Sequence, residues 1–238
     1  MILKGGHSYY DVPVGVIALE SYFPKPEGHI RYPASFDFPV IYKMVKGATV
    51  DRLIRERDPA LLEPFIEAAK ELEREGVKAI TGSCGFLALH QKALADAVHI
   101  PVFISSLIQV PLVSRMLASD QKVGVVVANQ NALSRDHLSG VGIADEPLVV
   151  AGMQDQPQFA EVILRGERND LDMELFEQEL VQVVSELLEA NPDVGALVLE
   201  CTDLSHFAPK LYQQFDLPVF DLTSLTRMVA ATVMRSSA

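Results

Sequence analysis

Short apolar runs alternate along this chain with longer segments in which apolar residues recur every three or four positions. The runs are typical of strands covered on both faces, because such strands carry few polar residues. They fall at 14–19, 39–45, 79–82, 102–105, 123–127, 148–150, 196–199 and 219–222. The clearest amphipathic segment, 173–190, predicts a helix with one apolar stripe. Strands that alternate with helices predict an α/β fold with parallel sheets.

The second half of the chain repeats the layout of the first. Cys84 and Cys201 each follow an apolar run, precede a segment predicted as helix (87–97 and 206–215), and stand 17 residues before a Pro-Val-Phe sequence. This repeat predicts two pseudo-symmetric α/β lobes, each with a parallel four-stranded sheet. Lobe one would comprise residues 1–113 plus 223–238, and lobe two residues 114–222. Ligands bind beyond the carboxyl ends of parallel strands, so we expect the active site in the inter-lobe cleft.

Residues 22–39 form a long segment without a helical or strand pattern. Four prolines and a glycine interrupt it, which is too much for regular structure. A loop of this length is commonly a lid or a binding loop. A surface insertion is an equally good interpretation of the same residues.

The composition excludes several classes of function. A net charge of −12 argues against nucleic-acid binding, which needs a concentrated basic surface. No segment approaches the ~20 apolar residues of a membrane helix, and residues 1–10 lack an apolar signal core. We therefore expect a cytoplasmic protein whose two cysteines are free thiols, because that compartment is reducing.

The two cysteines carry the candidate chemistry. A single cysteine is often only a small buried residue, but two at matching strand ends suggest a shared site. We expect each thiol to sit at a helix N-terminus, where the positive end of the dipole lowers its pKa. Two thiols on opposite faces of one carbon can remove and deliver a proton, which inverts a stereocentre without metal or cofactor.

The cysteine pair, the repeat and the sequence Glu200-Cys201-Thr202 resemble the aspartate/glutamate racemase superfamily, which includes hydantoin racemases, maleate isomerases and arylmalonate decarboxylases. The resemblance implies that Cys84 and Cys201 exchange acid and base roles and that Thr202 donates to a substrate carboxylate. It places Asp203 at a helper position that is acidic in aspartate racemases. It also places substrate or helper groups at the end of the first strand, where Glu20 and Ser21 stand.

One motif departs from the superfamily pattern. Cys84 is followed by Gly85-Phe86, where the superfamily has Asn-Thr, so we expect Phe86 to form an apolar wall of the pocket. The departure indicates a branch distinct from the racemases and decarboxylases with known substrates. The complete predicted substrate-binding set is Ser83, Gly85, Phe86, Thr202, Asp203, Glu20, Ser21 and Asn129.

The resulting expectation is a cofactor-independent racemase or epimerase of an amino acid or related carboxylate, without a metal. A homo-oligomer is also compatible with this expectation. Three alternatives stay open: a maleate-type cis–trans isomerase, a small-molecule binding protein that keeps the cleft, and a redox sensor with a reversible Cys84–Cys201 bridge. A zinc site using both cysteines and His206 lacks the usual ligand spacing. His90 and His99 are expected to be solvated.

Overall fold

The computed structural model describes residues 5–234 and contains two four-stranded parallel sheets, each with a helix layer. The first sheet has the order β2-β1-β3-β4 and the second the order β6-β5-β7-β8. The strands of the first sheet are β1 (Val14–Leu19), β2 (Val40–Val45), β3 (Ala79–Gly82) and β4 (Val102–Phe103). Those of the second are β5 (Lys122–Val127), β6 (Leu148–Gly152), β7 (Val194–Leu199) and β8 (Val219–Phe220). The predicted α/β fold of two similar lobes is confirmed.

The helices lie where the apolar periodicity and the capping residues put them. Asp172 begins the longest helix by accepting hydrogen bonds from the N–H groups of Glu174 and Leu175. Gly76 ends another because its φ of 108° is left-handed. The helices are α1 (Val50–Ile54), α2 (Leu62–Glu75), α3 (Gln91–Ala97), α4 (Val110–Ser114), α5 (Arg135–Gly140), α6 (Pro157–Phe159), α7 (Met173–Ala190), α8 (Ala208–Phe215) and α9 (Leu222–Val233).

The strand register repeats between the sheets. Val14 pairs with Val40 on one side and Ala79 on the other, and Val123 pairs in the same way with Leu148 and Ala196. The carboxyl ends of β3 and β7 therefore occupy equivalent places, and each leads directly to a cysteine turn. The lobe boundaries at 113/114 and 222/223 stay a prediction, as does the homo-oligomer. The outermost parts of lobe one, residues 1–4 and 235–238, lie outside the described residues.

The segments after the two cysteines differ from the predicted α-helices. Each begins as a 3₁₀ turn, Gly85–His90 and Thr202–Phe207, and becomes α-helical only at α3 and α8. In the second case Pro209 explains the boundary, because proline is tolerated in the first turn of an α-helix and not further in. The thiols therefore precede 3₁₀ turns of six residues rather than long α-helices.

Side-chain hydrogen bonds join the two lobes around the cysteine turns. Thr202 Oγ1 donates to the Ser83 carbonyl at 2.8 Å, and Ser106 Oγ donates to the Leu199 carbonyl at 2.6 Å. Both bonds are buried, so they hold the carboxyl ends of β3 and β7 at a fixed separation. Across residues 5–234, no helix combines the length and the apolar character needed to cross a bilayer. The cytoplasmic location stays a prediction.

Candidate active site

Cys84 and Cys201 line the same small cavity between the lobes. The end of β1, the loop of residues 22–39, and α1 close it from the other sides. The space that the centre of a water molecule can occupy there is about 20 Å³. One water needs roughly 10–15 Å³ by this measure, so this closed form has room for one or two waters. We call this space the thiol cavity.

A line of three side chains runs from one thiol to the loop. Cys201 Sγ donates to Asp203 Oδ2 at 3.5 Å, and His29 Nε2 lies 3.0 Å from Asp203 Oδ1. His29 Nδ1 accepts from the Arg31 N–H at 2.8 Å, so the hydrogen-bond network assigns the ring proton to Nε2, facing Asp203. Asp203 Oδ2 therefore accepts from Cys201, and the His29 Nε2–H faces Oδ1 at contact distance without forming a well-aligned hydrogen bond.

The charges of this line follow from burial and hydrogen bonding. Burial lowers the pKa of His29 and outweighs the opposing influence of Asp203, so the imidazole is neutral. Burial also pushes the pKa of Asp203 upward. The contact with His29, the positive charge of Lys25 and the hydrogen bond from Cys201 together outweigh burial, and the pKa of Asp203 ends below its usual value. Asp203 is therefore the anion of the thiol cavity.

The expected lowering of the thiol pKa values is wrong. Burial raises the pKa of both thiols well above the usual value, and the negative charges of Asp203 and, above about pH 8, of Glu200 raise it further. The Phe86 N–H lowers the pKa of Cys84, but by less than burial raises it. A 3₁₀ turn supplies little dipole to offset burial. Both thiols are therefore protonated at neutral pH while the site is empty.

Glu200 is fully buried beside both cysteine turns. Its Oε2 accepts from the Ala128 N–H at 3.0 Å, while Oε1 has no hydrogen-bond partner among residues 5–234. Burial raises the pKa of Glu200 to about 8, so the group is a neutral acid at pH 7. A Cβ on Gly85 would overlap Glu200 Oε1. Only glycine fits there, which explains why this chain lacks the Asn of the superfamily motif.

The loop of residues 22–39 contributes four side chains that the sequence did not single out: Phe23, Lys25, His29 and Arg31. Arg31 Nη1 donates to Ser21 Oγ at 2.7 Å and to the Leu19 carbonyl at 3.0 Å. Burial lowers the pKa of Lys25 to about 8. The sequence does contain one signal for the basic residues among them: they are grouped in a loop that follows a strand end, in a chain whose net charge is −12. Of the two interpretations of this loop, the structure favours the binding loop.

Six of the ten predicted site residues line the thiol cavity: Ser21, Ser83, Cys84, Cys201, Thr202 and Asp203. Two of them already make hydrogen bonds within the protein. Ser83 Oγ accepts from the Leu19 N–H at 2.9 Å. The Thr202 hydroxyl proton is used between the lobes, so in this closed form it does not point at a ligand.

The structure does not bring the other four into the lining of the thiol cavity. Glu20 lies in a neighbouring groove and accepts from the Tyr22 hydroxyl and the Gly47 N–H. Asn129 lies in a second groove, where Oδ1 accepts from the Asn131 N–H. Gly85 packs on Glu200 instead.

Phe86 is buried in the core rather than in the expected pocket wall. Its ring meets that of His137 edge-on at 5.1 Å. His90 is also buried, with its ring 5.8 Å from that of Phe65, contrary to the expected solvation, whereas His99 is exposed. Within the described part of the chain, no three His, Cys, Asp or Glu side chains are grouped to hold a metal ion.

Comparison with known proteins shows which family the chain belongs to. No protein-family model matches the chain. A protein of Durusdinium sp. clade D named dimethylsulfoniopropionate (DMSP) lyase is 30% identical over 215 residues, covering 87% of this chain and 70% of that protein. The chain belongs to the DMSP lyase family.

Two further members of the DMSP lyase family come from Emiliania huxleyi (strain CCMP1516). DMSP lyase 7 is 32% identical over 229 residues, covering 92% of this chain and 66% of that protein. DMSP lyase 6 is 32% identical over 232 residues, covering 93% and 60%. The chain thus spans about 60–66% of the length of these two relatives.

Solved structures confirm the fold of the predicted superfamily. Unliganded arylmalonate decarboxylase matches with a TM-score of 0.55 at 14% identity, covering 95% of both chains. Glutamate racemase from Francisella tularensis, solved with D-glutamate, gives 0.57 at 17% identity, covering 96% of this chain and 84% of its own. Picrophilus torridus aspartate racemase gives 0.56 at 13% identity, covering 92% and 94%. The DMSP lyase family therefore shares the fold of the aspartate/glutamate racemase superfamily.

Proposed function

We propose that this protein is a lyase that eliminates dimethyl sulfide from DMSP. A base removes one proton from C2, next to the carboxylate. The C–H electron pair forms the C2–C3 double bond, and the C3–S bond breaks with its pair on sulfur. The products are acrylate and neutral dimethyl sulfide, and the proton stays on the base until it is released to solvent. The substrate is taken from the names of the relatives.

Cys201 is the proposed base. Its thiol proton already points at a carboxylate, Asp203, at 3.5 Å, and this contact is the observation that carries the proposal. The thiol is protonated while the site is empty because burial raises its pKa. A bound sulfonium cation would stabilise the thiolate in this buried cavity, so substrate binding itself would favour loss of the thiol proton to solvent and activate the base.

Arg31 is the proposed partner of the substrate carboxylate. Its guanidinium lies at the edge of the thiol cavity and is positioned by Ser21 and the Leu19 carbonyl. Guanidinium groups pair with carboxylates in a planar, bidentate arrangement. The substrate carboxylate would then face Arg31 and the sulfonium group would face Asp203, so each charge of the zwitterion would meet the opposite charge in the cavity.

The test is dimethyl sulfide release from DMSP, measured by headspace gas chromatography. We expect release by the wild type and a loss of at least about 100-fold in kcat/KM for Cys201→Ser, because a hydroxyl is a much weaker base than a thiolate. Cys84→Ser is the matched control, since elimination needs one base only. Circular dichroism verifies that each variant is folded. A folded wild type that releases no dimethyl sulfide above the protein-free rate would refute the lyase proposal.

Amino-acid racemisation is the second candidate, and the shared cavity of both thiols favours it. Racemisation needs an acid and a base on opposite faces of one carbon, so both cysteine variants should then be inactive. The measurement is deuterium incorporation at the α-carbon in heavy water, over amino acids, hydantoins and 2-substituted acids. The Cys84→Ser variant therefore separates the two reactions: it keeps elimination and abolishes racemisation.

A further inference from the structure

The ammonium group of Lys25 lies on an aromatic face at the thiol cavity. Its Nζ is 3.2 Å from the centroid of the Phe23 ring and donates to the Phe23 carbonyl at 2.6 Å. An ammonium is strongly hydrated, so a partly buried aromatic face is an unusual place for it. Asp203 lines the same cavity and favours the charged form of Lys25 electrostatically, whereas Arg31 opposes it.

We propose that the Phe23 ring and the Asp203 carboxylate form a subsite for an organic cation, and that Lys25 occupies this subsite while no substrate is bound. The identity of that cation as a sulfonium rests on the proposed function. Sulfonium and quaternary ammonium groups carry a diffuse positive charge and are weakly hydrated. They bind to aromatic faces through the attraction between the cation and the ring, and a nearby carboxylate adds to that attraction.

The local backbone suits such an exchange of cations. Pro24 and Pro26 flank Lys25 and fix φ on both sides of it. The backbone at this point is therefore stiff, so within the loop it is the long lysine side chain that changes conformation when the cations exchange. Two cations cannot share one subsite at low cost, so the arriving cation displaces the ammonium group to solvent.

A different role for Lys25 leads to the opposite expectation. If its ammonium group paired with the substrate carboxylate, removing it would weaken every carboxylate ligand. If it holds the cation subsite, removing it strengthens cationic ligands alone. The two roles can therefore be separated by one pair of ligands that differ only in charge.

The experiment uses 3-(trimethylammonio)propanoate and 4,4-dimethylpentanoate, which have the same shape and carboxylate but a positive or a neutral end. Binding is measured by isothermal titration calorimetry in a Cys201→Ser background, so that no turnover occurs. We expect Lys25→Met to bind the cationic ligand about tenfold more tightly than the background protein, with the neutral ligand little changed. Lys25→Arg, which keeps a cation, should resemble the background protein, and Phe23→Leu should lose the preference for the cationic ligand.

Three results would overturn the subsite. The first is that Lys25→Met binds both ligands more weakly than the background protein does. The second is that it binds both more tightly by the same factor, and the third is that no variant distinguishes the two ligands, which includes the case in which neither ligand binds. The outcome is independent of turnover. A protein that distinguishes the two ligands in this way but releases no dimethyl sulfide keeps the cation subsite and loses the lyase proposal.

Discussion

Replacing Glu200 by glutamine should make the protein markedly less sensitive to alkaline pH. In the fold Glu200 is a neutral acid, because burial raises its pKa from 4.5 to about 8. Glutamine has nearly the same shape, stays neutral at every pH, and keeps an oxygen that can accept from the Ala128 N–H. The substitution therefore removes the titration and leaves the packing against Gly85 in place.

The sign follows from proton binding in the two states. Below about pH 4.5 Glu200 is protonated whether the chain is folded or not, so it causes no pH dependence. Between about pH 4.5 and about pH 8 the unfolded chain loses this proton while the folded chain retains it. The free energy of unfolding of the wild type then falls by about 1.4 kcal/mol per pH unit. Over the whole interval the wild type loses up to about 5 kcal/mol of its free energy of unfolding through this group, and Glu200→Gln should not show this loss.

The assay is urea unfolding followed by circular dichroism at a series of pH values from about 5 to about 8.5. The quantity to plot is the free energy of unfolding of Glu200→Gln minus that of the wild type, which should rise by several kcal/mol. Glu189→Gln, at an exposed position of α7, is the matched control and should give a flat line. A flat line for Glu200→Gln as well would mean that Glu200 is ionised in the fold, and the reasoning would be refuted.

Two further substitutions test the contacts around the thiol cavity. Gly85→Ala should lower the free energy of unfolding by about 1–3 kcal/mol, because the new methyl group overlaps Glu200. Gly5→Ala is the control: the atom nearest to its new methyl group is 3.7 Å away, so the same urea titration should show almost no effect. Thr223→Val removes the 2.8 Å hydrogen bond to the Gly28 carbonyl, so the loop of residues 22–39 should be cleaved several-fold faster in limited proteolysis. An unchanged cleavage rate would show that this bond does not hold the loop.

The sheets and the cysteine turns could be predicted because their signals are local and repeated. Buried parallel strands leave continuous apolar runs, and the equal spacing of Cys84 and Cys201 from their Pro-Val-Phe sequences marks the same turn in both lobes. The order of the strands is known only from the structure, because parallel α/β sheets occur with more than one strand order. The fully buried β1 and β7 are cases in which sequence and structure agree.

The electrostatics of the site could not be predicted, because they depend on burial and on contacts that form only in the fold. The sequence places Glu200 and Asp203 beside Cys201, but it does not show that these carboxyl groups also lie near Cys84 or that burial raises the pKa of both thiols. His29 and Arg31 belong to a loop without periodicity, and only the folded chain shows that the loop crosses to the second lobe. There the Glu27 carbonyl accepts from His206 Nδ1 at 2.6 Å.

The buried hydrogen bonds between the lobes determine how a ligand enters. Thr202 and Ser106 join one lobe to the other by buried hydrogen bonds at the strand ends, and these bonds oppose a hinge opening between the two sheets. The loop of residues 22–39 is then the part that has to move before anything larger than a water or two fits inside. Ligand association is therefore gated: its observed rate should level off at high ligand concentration, at a plateau equal to the opening rate of this one segment.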